Sequence, residues 1–253
     1  MKVTNKSLHD GFGSQYQHII STLLICYKNN YEFIYTPIRK MEHNYNGEND
    51  FIERVEKAMN LKPHFSLVNE DTTEEQLREQ GIRVYDMDAK YVIDNHIHEY
   101  ATPEALQPIK TMFWANKNRE KALIFQNEDT SVKHVAVHIR RPNAHDNRLL
   151  GSDTPDDYYL GVIQRIRETY DFPMQFHIYS QGDLSMFSRY IAPDTVFHLN
   201  EDLISTFVAF VAADILVTSF SSYSYIAAFL SDGIIYYHPF WHPPMKHWMV
   251  CER

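Results

Sequence analysis

The chain has 253 residues, enough to bury one large core or two smaller ones. Hydrophobic residues make up 44% and charged residues 23%, the balance of a folded, water-soluble chain and not of a disordered or membrane-embedded one. Lysine and arginine number 24 against 33 acidic residues, a net charge of −9 with no basic stripe. This argues against nucleic acid or an anionic membrane as partner while leaving room for a local positive pocket.

The first elements read as strand, glycine turn, helix and strand. LHDGFGS at 8–14 supplies the turn, and residues 15–28 place Ile19, Ile20, Leu23, Leu24 and Tyr27 at helical spacing. YEFIYT at 31–36 follows as a short strand bounded by Asn29-Asn30 and Pro37. These elements make a βαβ unit that opens a doubly wound lobe. Residues 40–80 are polar and partly helical, with Phe51, Ile52, Val55 and Met59 spaced through 50–61 and an acidic helix start at 71–75. IRVY at 82–85 is expected as a strand. Residues 103–125 read as one or two helices, with Ile109, Met112, Phe113 and Leu123 as core candidates. The polar stretch QNEDTS at 126–131 marks the expected division into an N-terminal lobe, 1–130, and a C-terminal lobe, 131–253.

Beyond it the pattern alternates cleanly. Strands are expected at 135–139, 175–180, 195–199, 214–219 and 234–237, with helices at 155–170, 203–213 and 223–230 and a short one within 182–190. Repeated βα units predict a parallel sheet with helices on both faces.

Three stretches carry chemistry. VAVHIRRPN at 135–143 is an apolar strand that ends in His138, Arg140 and Arg141, with Pro142 forcing a turn. Open α/β sheets bind ligands at the carboxyl ends of their strands, and two guanidinium forks there suit a diphosphate. DILVTSFSSYS at 214–224 delivers Thr218, Ser219, Ser221 and Ser222 from a strand into a helix start, where hydroxyls and free N–H groups favour an anion. Simple helix capping is the alternative reading of those serines. At Gly11, Phe12, Gly13, Ser14 and Gln15 the glycines allow close backbone approach to a ligand at another helix start.

Taken in order, these stretches resemble one family. GFGSQ followed by an apolar helix resembles the GFGxQ or GxGNQ start of α-1,6-fucosyltransferases and protein O-fucosyltransferases. VAVHIRR resembles their HxRR motif, and DILVTSFSSYSY is similar to their DxLVxxFSS segment before the final helix. The three bracket residues 11–230, while 40–120 show no resemblance. The likeness implies an α/β, GT-B-like fold of two Rossmann-like lobes with parallel sheets and a cleft between them. It also implies metal-independent, inverting transfer of a deoxysugar such as fucose from a GDP-sugar to a glycan hydroxyl, with no cofactor beyond the donor. Arg140 then takes the β-phosphate role, and Arg141 belongs to the same donor site. His138 and Asp214 lie near the base, and Ser219, Ser221 and Ser222 near the phosphates. Asp183 stands where the family has an acidic strand-end motif. Ser14 departs from the Asn of many O-fucosyltransferases, and PNAHDNR at 142–148 departs from the family's lysine- and glutamate-containing loop. Transfer to a hydroxyl wants a base within hydrogen-bond reach of the acceptor oxygen. His145, Asp146 and Asp153 are the groups at hand, with Asp146 favoured and Asp153 next.

Alternatives stay open. The same fold serves another nucleotide sugar, for example a rhamnosyl donor, or a non-catalytic sugar-nucleotide or glycan-binding protein. Asp86-Met-Asp88 has the form of a metal-binding DxD, although an acidic loop is the plainer reading. His96 and His98 lack a third metal ligand. The tail YYHPFWHPP at 236–244 is aromatic and rigid, and lines a sugar pocket or packs over the sheet edge. Two cysteines, Cys26 and Cys251, make no disulfide framework, and neither a signal peptide nor a membrane span is evident, so a cytoplasmic protein is expected.

Overall fold

The structure, a computed structural model, describes residues 1–44, 47–141 and 154–252. The chain forms two compact units, Met1–Asn118 with Trp241–Met245, and Arg119–Phe240 with Lys246–Arg253. The chain thus changes unit at Asn118, before the polar run at 126–131, and revisits the first unit late in the sequence.

In the first unit, β1 (Lys2–Asn5), α1 (Phe12–Asn29) and β2 (Glu32–Tyr35) form the expected βαβ start. They are followed by α2 (Phe51–Met59), β3 (Ser66–Leu67), α3 (Glu74–Glu79) and β4 (Ile82–Tyr85). A helical run then continues through α4 (Met87–Tyr91), a π-helical turn at Val92–His96 and α5 (Ile97–Tyr100) to α6 (Pro103–Trp114). The sheet order is β3-β2-β1-β4, with every pair parallel. Helix α1 buries Ile19, Ile20, Leu23 and Leu24, and ends where Asn30 takes a left-handed conformation with φ 54° and its N–H reaches Cys26 O.

In the second unit, α7 (Lys121–Phe125) precedes β5 (Lys133–His138), α8 (Asp156–Thr169) and β6 (Met174–Ser180). A 3₁₀ segment at Leu184–Tyr190 leads to β7 (Thr195–Leu199), α9 (Leu203–Ala212) and β8 (Ile215–Val217). Helix α10 (Ser222–Leu230), β9 (Ile234–Tyr237) and β10 (Met249–Val250) complete it. Helix α7 belongs here because Phe125 stacks on His134 of β5, with ring centroids 4.4 Å apart and planes at 8°. Leu123, expected in the core, is exposed instead, since this short helix turns Phe125 inward.

The second sheet runs β10-β9-β8-β5-β6-β7, again with every pair parallel. The chain builds outward from β5 through β6 to β7, then returns to the other side of β5 for β8, β9 and β10. That reversal puts a topological switch point between β5 and β8, where the crevice of a doubly wound sheet opens. Strand β5 is apolar through its middle because both faces are covered. Val135, Val137 and Ile139 face the core built by Tyr159, Ile163 and Ile166 of α8. Each such side chain stabilises the fold by roughly 1.5–3 kcal/mol when fully buried. His134, Ala136 and His138 alternate to the opposite face, where His138 packs on Phe210 of α9 at 5.1 Å. The α/β class with two parallel sheets is therefore what this chain forms. Among the described residues no helix is long and apolar enough to cross a membrane.

Candidate functional site

The switch point of the second unit gathers most of the expected residues. His138 closes β5, and its Nδ1 lies 2.9 Å from Ser224 Oγ and 3.0 Å from Ser219 Oγ. Its ring packs between Phe210 and Tyr223, at 5.1 and 5.7 Å. Burial, reinforced by the Arg140 guanidinium, pushes the imidazole pKa down to about 3, so the ring is neutral at physiological pH. Two residues further on the same alternation, Arg140 donates from Nη1 to the Phe220 carbonyl at 3.2 Å, which anchors it against the turn between β8 and α10. In that turn Ser221 caps α10, accepting from Tyr223 N–H at 3.3 Å, and Ser222 is half-buried in the first helical turn. The N–H end of a helix, two serines, a neutral imidazole and a guanidinium thus share one strand end. This is the chemistry of an oxyanion or phosphate site.

Arg141 does not join that group. Side chains alternate along an extended chain, so Arg141 follows Val137 and Ile139 to the α8 face while Arg140 follows His138. There its Nη2 pairs with Asp156 Oδ1, its Nη1 donates to Thr154 O at 2.8 Å, and its guanidinium lies 5.9 Å from the Phe187 ring. Tyr190 O–H donates to the same Asp156 oxygen at 2.7 Å. Thr154 Oγ1 in turn meets His238 Nε2 at 3.0 Å, and His238 N–H donates to Thr218 Oγ1 at 2.9 Å. The expected double-arginine clamp therefore resolves into one arginine at the serine turn and one built into a buried network that joins β5, α8, β8 and β9.

Asp214 is also displaced from the expectation. It precedes β8 at the amino edge of the sheet, the end away from His138. There it accepts from Lys121 Nζ at 2.5 Å, Lys133 Nζ at 3.3 Å and His134 N–H at 3.0 Å. Burial opposes its ionisation, yet the Lys121 and His134 hydrogen bonds hold its carboxyl below the usual range. It stitches α7 and β5 to β8. Asp183 does follow the carboxyl end of β6, but it is exposed and caps the 3₁₀ segment through Ser185 N–H at 2.9 Å. Asp146 and Asp153, with His145, lie outside the described residues.

The glycine loop belongs to the first unit. Gly11 begins α1 with no side-chain cap, and its N–H donates to Asp10 Oδ1 at 2.7 Å. A β-carbon on Gly11 would stand 2.6 Å from His43 Cδ2, so glycine lets the imidazole close over the backbone. Phe12 and Gly13 are buried and Ser14 half-buried, while Gln15 Nε2 ties the loop to Asp10 O and Lys40 O, both at 2.8 Å.

The possible metal motif is spoken for. Asp86 pairs with Lys6 at 2.9 Å and Asp88 with Arg83 at 2.8 Å, both beside a cavity of about 650 Å³ in the first unit. His96 is engaged by Glu99 at 2.9 Å and Tyr91 at 3.1 Å. Among the described residues no group of three or more His, Cys, Asp or Glu is placed to hold a metal ion.

Sequence reasoning missed several residues. Ser224 and Asp156 hold the two strand-end residues His138 and Arg141, and both were visible as polar residues in a first helical turn. In the tail, His242 is buried in the first unit. Its Nε2 lies 2.8 Å from Gln17 Nε2 and accepts from the Trp241 indole at 3.0 Å, and its Nδ1 faces Asp94 of the π-helical turn at 2.9 Å. The tail is thus pinned to its unit, although Trp241 itself remains exposed.

Among solved structures, the fucosyltransferase NodZ from Bradyrhizobium is similar in fold, with 11% identity and a TM-score of 0.49, covering 91% of this chain and 93% of that one. NodZ α-1,6-fucosyltransferase co-crystallised with GDP gives 12% identity and 0.49, over 94% and 96% of the two chains. The E. coli heptosyltransferase WaaC with ADP-2-deoxy-2-fluoro heptose gives 12% and 0.42, over 99% and 93%. No protein-family model matches the chain, and no curated protein matches it in sequence.

Proposed function

We propose that the protein is a glycosyltransferase that draws a deoxysugar, fucose or a close analogue, from a GDP-sugar and places it on a glycan hydroxyl. One observation carries the reading: Arg140, His138 and the serine-capped start of α10 meet at the switch point of a six-stranded parallel sheet. That arrangement suits a leaving diphosphate, whose negative charge grows as the glycosidic bond breaks. Arg140 supplies permanent charge, the helix start supplies N–H donors, and neutral His138 adds a hydrogen bond without a second charge. The first unit carries the acceptor side. Acceptor deprotonation falls to Asp146, with Asp153 next, and attack opposite the departing nucleotide inverts the anomeric centre.

The reading includes metal independence, supported by the pairing of Asp86 with Lys6 and of Asp88 with Arg83. A thermal-shift screen against GDP, UDP, ADP, dTDP and their common sugars tests the donor. A ligand at a hundred times its Kd stabilises the folded state by about 2.7 kcal/mol, so the preferred nucleotide should stand out. EDTA should leave both the shift and the transfer unchanged. Activity abolished by EDTA and restored by manganese would contradict the metal-free reading, and a screen without any nucleotide response would contradict the donor.

A further inference from the structure

Ser224 is the part of the strand-end cluster whose chemistry the proposed function leaves unused. It is fully buried in the first turn of α10, and its Oγ accepts from Ser219 N–H at 3.1 Å while lying 2.9 Å from His138 Nδ1. Ser219 Oγ reaches the same Nδ1 at 3.0 Å. Among the described residues every hydrogen bond of His138 is made at Nδ1. A neutral imidazole carries one proton, and the nitrogen without it is an acceptor. Were that proton on Nδ1, it would go to Ser219 Oγ or to Ser224 Oγ, and Nδ1 could accept from neither. Ser224 Oγ would still accept from Ser219 N–H. Its own hydroxyl proton would then need an acceptor that none of its hydrogen bonds supplies. With Nδ1 bare, the Ser224 hydroxyl donates to it while the oxygen still accepts from Ser219 N–H. The Ser219 hydroxyl shares the same nitrogen, and Nε2–H is left to face the ligand.

We infer that Ser224 holds His138 as its Nε2–H tautomer, so that the end of β5 presents a neutral N–H donor to an oxygen acceptor of the bound ligand. Ser224 is then a positioning residue that acts through His138. Burial supports the assignment by keeping the ring uncharged, as its pKa of about 3 indicates. The ligand half of the inference rests on the proposed nucleotide-sugar site, and the tautomer does not. The two nitrogens of one histidine are rarely interchangeable, because the hydrogen bond at one sets what the other offers.

The test is a long-range proton–nitrogen NMR correlation on the full chain labelled with ¹⁵N-histidine, with His138 assigned by the signals lost in His138→Gln. The expected wild-type pattern is a protonated, pyrrole-type Nε2 and a bare, pyridine-type Nδ1. In Ser224→Ala the proton should move toward Nδ1, where Ser219 Oγ can accept it, and Ser224→Thr should restore the wild-type pattern. GDP affinity should fall roughly two- to tenfold in Ser224→Ala, the loss of one net hydrogen bond, and recover in the Thr variant. A protonated Nδ1 in the wild type would overturn the inference without need of any variant. So would a tautomer unchanged in Ser224→Ala. No binding of GDP to the wild type, with the tautomer as inferred, would overturn the ligand half and the functional reading together, leaving the assignment intact.

Discussion

At the residue scale, neighbouring arginines have different surroundings because the backbone turns successive side chains to opposite faces. Arg141 is the structural one. Its side chain is 9% exposed and its partner Asp156 also serves Tyr190. Removing one member of a buried ion pair strands the other, at a cost of about 3–5 kcal/mol. Arg141→Met should therefore lower the thermal midpoint markedly, whereas Arg140→Met should leave it nearly unchanged and remove nucleotide binding. Melting curves of the two variants decide this, and equal destabilisation by both would refute the division of roles. The period-two alternation of VAVHIRR implies that division, but the family resemblance assigned both arginines to the donor site and the structure separates them. Ser224 was harder to see, since its role depends on α10 meeting β5 across 86 positions.

At the element scale, the strand-end location of His138, Arg140, Ser219 and Ser221 could be read from sequence, because an apolar run followed by a polar turn announces both a buried strand and its exit. Asp214 was misplaced for a related reason. DILVTSFSS reads as one motif, but a strand crosses the sheet, so its first residue and its last serines emerge at opposite edges. The same crossing explains a constraint on β9. Just before that strand, a β-carbon on Gly233 would lie 2.4 Å from Ala213 O and 2.7 Å from Asp214 O, both backbone atoms that cannot swing aside. Gly233→Ala should thus destabilise the second unit by about 1–3 kcal/mol, the usual range for forced overpacking. Denaturant titration measures it, and an unchanged midpoint would show that the backbone at 213–214 yields.

At the scale of the whole molecule, buried histidines make the fold acid-sensitive. His134, His177 and His198 are linked across β5, β6 and β7 by contacts of 3.0 and 2.9 Å, and His198 Nδ1 meets Glu201 at 2.8 Å. Burial, with neighbouring histidines adding to it, pushes His177 down to about 3, and burial with Lys90 pushes His242 to about 4. The unfolded chain titrates these groups near 6.5, so between that pH and about 3 it binds more protons than the folded chain does. Stability is present above pH 6.5 and is lost as pH falls toward the folded values. Buried Glu56, whose carboxyl is raised by burial, works in the opposite direction and softens the loss. The melting temperature should decline steadily from pH 6.5 to 4, and His177→Gln should flatten the slope. A flat profile over that range would refute this account of the buried histidines. Such linkages escape sequence reading because the three strands that supply them meet only in the sheet.

The central claim is that Arg140 and the serine turn of α10 form a nucleotide-diphosphate site, and calorimetric titration of GDP into the wild type and Arg140→Lys tests it most directly. Lysine keeps the charge but loses the planar fork, so the wild type should bind GDP and the variant should bind it on the order of tenfold or more weakly while folding normally. Equal affinity in the two proteins would contradict the account, and would move the phosphate to a different set of residues.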